Sequence, residues 1–81
     1  MFVYRIPISQ EENTFRTVCQ KIEASLPHLL LNNKICDIDG TRVWVYRAEG
    51  HTVTVLCEEG SDTVCVESDR ALALWEKKRE I

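Results

Sequence analysis

Hydrophobic positions along the chain change period twice. From Phe2 to Ile8 they alternate, so that Phe2, Tyr4, Ile6 and Ile8 share one face of an extended segment rich in aromatic and β-branched residues. Pro7 removes a ladder donor and places this strand at a sheet edge or ends it nearby. The spacing then becomes three and four: Phe15, Val18, Cys19, Ile22 and Leu26 form one helical stripe. Ser9-Gln10-Glu11-Glu12 has the spacing of a capping box and predicts the helix start, while Pro27 disfavours helical geometry at Leu26 and predicts its end.

Beyond a connector spanning Pro27 to Asn33, the period returns to two, with β-branched segments at Lys34 to Asp39, Arg42 to Arg47, His51 to Glu58 and Asp62 to Glu67. Asp39-Gly40 and Gly60-Ser61 read as two-residue hairpin turns, and Ala48-Glu49-Gly50 as a three-residue turn with Gly50 left-handed. These loops set Cys36 and Val55 opposite Val43, Val53 opposite Val45, Cys57 opposite Val64 and Val55 opposite Val66. Cys36, Val43, Val45, Val53, Val55, Cys57, Val64 and Val66 then make one face, suited to lie under helices. A two-residue turn in the middle hairpin would instead exchange Trp44 and Tyr46 with the valines. Ser68-Asp69 reads as the start of a second helix whose apolar side is Ala71, Leu72, Leu74 and Trp75.

The expected fold is therefore a single α+β domain over residues 1–81, ordered β-α-β-β-β-β-α, with an antiparallel sheet and two helices packed on one face. This order resembles the single-repeat topology of TATA-binding-protein-like and helix-grip folds. The resemblance lies in element order alone and implies a fold, with no function attached.

Composition narrows the function classes. At 81 residues the core is thin, and a deep water-excluding cleft is hard to build. The net charge of −3, from 13 acidic and 10 basic side chains, disfavours nucleic-acid binding driven by phosphate neutralisation. Lys77, Lys78 and Arg79 are flanked by Glu76 and Glu80 and read as a solvated helix face. The first residues lack a signal peptide's apolar core, and no apolar run spans a bilayer. The expectation is a soluble cytoplasmic protein with reduced cysteines and no membrane partner.

Cys19, Cys36, Cys57 and Cys65 lack the close pairing of zinc sites; the first three fall on the expected core side as small hydrophobes. Cys65 faces the other way and is the candidate reactive cysteine. His28 and His51 read as loop residues, and Glu58, Glu59 and Asp62 as a solvated hairpin tip. No nucleophile elbow, phosphate loop, zinc-protease motif or dinucleotide fingerprint occurs, so no catalytic, metal or cofactor residues are assigned and no enzyme is expected.

The informative feature is the sheet face left uncovered by helices. With the loops above it carries Ile35, Asp37, Arg42, Trp44, Tyr46, Thr52, Thr54, Leu56, Thr63, Cys65 and Glu67, joined by Val3 and Arg5 from the first strand. Arg42, Trp44, Tyr46, Thr52, Thr54, Leu56, Ile35 and Arg5 are the candidate partner-binding residues, because aromatic and Arg side chains dominate binding hot spots. A protein partner, either a second copy or a larger complex, is the first expectation. Single-stranded nucleic acid stacked on the same aromatics is the alternative, and cross-strand bracing by Trp44 and Tyr46 is the purely structural account.

Overall fold

A computed structural model describes residues 1–8 and 13–72. Strand β1 (Phe2–Pro7) leads to helix α1 (Thr14–Ser25), followed by β2 (Leu30–Cys36), β3 (Arg42–Ala48), β4 (His51–Cys57) and β5 (Thr63–Ser68). The strands form one five-stranded sheet in the order β1-β5-β4-β3-β2, antiparallel at every pairing. The four-strand meander and the leading strand and helix are thus as the periodicity predicts.

Helix α1 begins where Asn13, in extended conformation, caps it: the Asn13 Oδ1 accepts the Arg16 N–H at 3.1 Å. The capping box at residues 9–12 lies outside the described residues. At the other end the Leu26 N–H reaches the Ile22 carbonyl at 2.8 Å, and Pro27 follows. Phe15, Val18, Cys19 and Ile22 are buried and Leu26 packs beside them, as the stripe requires. They lie on Tyr46, Val53, Val55, Val64 and Val66, and α1 touches chiefly β4 and β5.

Two hairpin loops differ from the sequence expectation, each by one residue. Between β2 and β3 the loop is Ile38-Asp39-Gly40: the Asp37 N–H donates to the Thr41 carbonyl at 2.8 Å, and Gly40 adopts φ +94°. Between β3 and β4 the loop is Glu49-Gly50, with Ala48 opposite His51 and Gly50 at φ +71°. The second difference inverts β3. Trp44 pairs with Val55 and Tyr46 with Val53, so both rings point toward α1, Tyr46 only 1 % exposed. Val43 and Val45 take the open face instead, and Arg42 moves to the helix side, 5.5 Å from the Phe15 ring centroid. The physical reason is parity: one residue more or less in a loop reverses every side chain of the strand it joins.

The β4–β5 register is as expected, Val55 against Val66, although the turn bond runs from the Ser61 N–H to the Glu58 carbonyl. Strand β2 starts at Leu30, shortening the connector, and all seven of its residues are exposed. Cys36, expected in the core, is therefore solvent-facing, because α1 does not extend over β2. After β5 the Ser68 Oγ accepts the Arg70 N–H at 3.1 Å, the bond of an N-cap serine, yet Asp69 to Leu72 form no helical turn. Leu72 is held by its N–H on the Tyr4 hydroxyl at 2.8 Å. The remainder of the expected second helix, residues 73–81, lies outside the described residues.

The inverted strand makes a direct expectation. Tyr46→Ala should cost about 3–5 kcal/mol of unfolding free energy in a urea titration, whereas Val45→Ala should cost about 1 kcal/mol or less. Equal losses would contradict the assignment of faces.

Candidate interaction surface

Strand register assembles the open face row by row. Arg5 lies beside Cys65, Cys65 beside Leu56, Leu56 beside Val43, and Val43 beside Ile35, giving one line across all five strands. Four consecutive members of that line, Cys65, Leu56, Val43 and Ile35, are apolar. A parallel line runs Val3, Glu67, Thr54, Val45 and Asn33, and Thr52 faces Arg47 at the end of the sheet. None of these open-face residues is buried, and Ile35 and Val3 are 50 % and 44 % exposed.

Of the residues expected to bind a partner, Arg5, Ile35, Thr52, Thr54 and Leu56 lie on this face and are brought together. Arg42, Trp44 and Tyr46 do not join them. Val43 and Val45 take their place; they were missed because the middle loop was read as three residues, and the two-residue alternative was the only signal pointing to them.

The displaced aromatics have work on the other side. Trp44 meets Phe15 edge-on, with centroids 5.3 Å apart and planes at 87°, and the Lys34 ammonium sits 4.4 Å above the indole. The Trp44 Nε1 is buried with no acceptor among the described residues. The Tyr46 hydroxyl donates to the Glu23 Oε2 at 2.8 Å, and burial, the Glu23 contact and Cys19 all push its pKa upward. Tyr46 is thus a neutral donor anchoring the helix to the sheet.

Neither the half-buried Cys65 nor the buried Cys19 has the surroundings of a nucleophile. Burial first, then Glu67 and Glu58, raise the Cys65 pKa against the opposing pull of Arg5. Burial likewise raises Cys19. A thiol held protonated is a weak nucleophile.

Folding also joins the two histidines, 23 positions apart in sequence. The His28 Nε2 and His51 Nδ1 are 3.2 Å apart, so one imidazole donates to the other, and the rings stack at 27°. On its other side the His51 Nε2 lies 3.3 Å from the Ser68 Oγ and 3.8 Å from the Asp69 Oδ1. No local spacing announces this cluster; the end of β5 and the connector after α1 bring it together. Among the described residues, no three His, Cys, Asp or Glu side chains are arranged to hold a metal ion, and no helix is long and apolar enough to cross a membrane.

No protein-family model matches the chain, and neither a curated protein nor a solved structure matches it.

Burial lowers the His51 pKa below 6.5; Arg70 and His28 push the same way, and Asp69 opposes them. The unfolded chain thus takes up this proton first. Stability should be complete above about pH 6.5 and fall as the pH drops from there through the folded-state value. Urea midpoints across that window should show the slope in the native chain and a shallower one in His51→Gln. Identical slopes would exclude His51 as its source.

Proposed function

We propose that this chain is a small non-catalytic protein-interaction module that docks through its open sheet face on a protein partner, as a homodimer or as an accessory or inhibitor protein on a larger assembly. The observation that carries this is the unbroken apolar line Cys65, Leu56, Val43 and Ile35 on the face opposite α1. An antiparallel sheet with one wet face ordinarily alternates apolar inward with polar outward. Valine, leucine and isoleucine lined up outward instead favour an interface. Thr52 and Thr54 supply polar contacts beside the line, and Arg5 places a guanidinium, able to pair with a carboxylate, at its end.

Single-stranded nucleic acid is the weaker reading. It depended on stacking bases against Trp44 and Tyr46 near Arg42, and those three side chains face the helix. Val43 and Val45 offer no π-surface, and the net charge of −3 gives little attraction for phosphates. The finer topology, a helix-grip or TATA-binding-protein-like arrangement with a second helix on the side of α1, belongs to the same proposal and leaves the open face free. So does a cytoplasmic setting, which would keep the four free cysteines reduced.

The test compares the native chain with Leu56→Lys. Chemical crosslinking in its own cells should yield a complex with another protein that Leu56→Lys loses while its thermal midpoint stays within a few degrees. A variant that keeps every complex would sink the open-face reading. Titration with a fluorescent single-stranded oligonucleotide at low salt should show no binding; saturable binding would favour the nucleic-acid alternative.

A further inference from the structure

The two edges of the sheet differ, and the difference bears on what is bound. In antiparallel ladders, hydrogen-bonded and non-hydrogen-bonded pairs alternate, so every second residue of an edge strand points its N–H and C=O outward. The bond from the Asp37 N–H to the Thr41 carbonyl makes that pair hydrogen-bonded. Counting back along β2, Ile35 and Val43 bond to each other, while Cys36 and Lys34 turn their main-chain groups away from β3. Counting from the far side agrees: the Asp69 N–H on the Thr52 carbonyl sets the phase of β4 against β5, and hence of β3 and β2.

On the opposite edge, the Ile8 N–H bonds the Asp62 carbonyl, which puts Val3, Arg5 and Pro7 at the outward positions of β1. Pro7 has no N–H to offer there, so it blunts that edge without removing a ladder bond. Strand β2 has no proline. It is exposed along its whole length, with Leu30 at 73 %, Ile35 at 50 % and Leu31 at 38 %.

We propose that β2 pairs antiparallel with β2 of a second copy of this chain about a two-fold axis at Ile35, an inference that rests on the protein-binding reading above. Outward groups must meet outward groups, which leaves three centres along this stretch. Centring on Lys34 sets two ammonium groups face to face, and centring on Cys36 sets Ile35 against a carboxylate, the partner's Asp37. Centring on Ile35 sets it against the partner's Ile35, in the close non-hydrogen-bonded position. It also places Lys34 against the partner's Cys36, and Asn33, whose amide can donate, against the partner's Asp37. The apolar line then continues unbroken from one open face to the other. The register shift between Leu31 and Asn33 falls outside this window and confines the ladder to Asn33 through Asp37. About four main-chain hydrogen bonds join the copies, two for each Lys34–Cys36 pairing. So short a contact forms a weak, concentration-dependent dimer.

Sedimentation equilibrium and amide exchange by NMR test this on the native chain, Cys36→Pro, Ile35→Lys and Leu56→Lys. The native chain should pass from monomer to dimer with concentration, with exchange of the Lys34 and Cys36 amides slowing in step while that of Ile35 stays slow throughout. Cys36→Pro removes an outward N–H and no main-chain bond to β3, and Ile35→Lys puts two charges on the axis. Each should raise the dimer Kd by about tenfold or more, with the Val53 and Val55 amides still protected. Leu56→Lys should still dimerise. Should Cys36→Pro fail to fold, Ile35→Lys decides alone. A dimer lost in Leu56→Lys but kept in Ile35→Lys would overturn the edge pairing and leave the open-face reading standing. A chain monomeric at every concentration would overturn it as well.

Discussion

The two-residue loop Glu49-Gly50 sets the parity of β3 against β4, and both faces of the sheet depend on it. With this loop Trp44 and Tyr46 stand on the side of α1; with one residue more, Val43 and Val45 would stand there instead. Burial of large rings favours the observed choice. An aromatic side chain removes well over a valine's area from water, a difference on the order of 2 kcal/mol at the buried Tyr46 and less at the half-buried Trp44, whose Nε1 finds no acceptor among the described residues. Tyr46 can be buried because its hydroxyl finds the Glu23 carboxylate at 2.8 Å. Without that acceptor, burial would strand a polar group and lose much of the gain.

From that choice follows the division of the helix side. Helix α1 sits on β4 and β5, where valines 53, 55, 64 and 66 are fully buried. Toward β2, which the helix does not cover, Lys34, Trp44, Phe15 and Arg42 form a chain of cation and ring contacts that closes the flank of the core. At the other end, the contact of His28 with His51 ties the connector after α1 to the first residue of β4, and Ser68 and Asp69 hold His51 from β5 and beyond.

The same parity changes what the open face is made of. Aliphatic side chains of moderate size, Val43, Val45, Leu56 and Ile35, lie there among threonines, with Arg5, Arg47 and Glu67 among the charges. Such a surface packs well against another sheet or helix and poorly against stacked bases. It runs out to β2, whose outward main-chain groups pair with no strand among the described residues, so face and edge form one continuous surface.

Much of this was legible from local pattern. The three-and-four spacing from Phe15 to Leu26 and the alternation in five segments determined the element order from β1 through β5 and the buried stripe of α1, and Pro7 the edge position of its strand. The β4–β5 register and the open-face placement of Thr52, Thr54, Leu56, Arg5 and Ile35 were also readable. Ile35 was placed correctly because two errors cancelled: the loop before β3 is one residue longer than read and the loop after it one residue shorter, so β2 kept its face and β3 alone was reversed. Asp39-Gly40 and Ala48-Glu49-Gly50 are each compatible with either loop length, since a left-handed glycine serves both. Local turn chemistry therefore left the choice open by one residue. Only the packed structure resolved it, because burial of the Trp44 and Tyr46 rings under α1, with Glu23 at hand for the tyrosine, is a gain that exists only once helix and sheet are in contact.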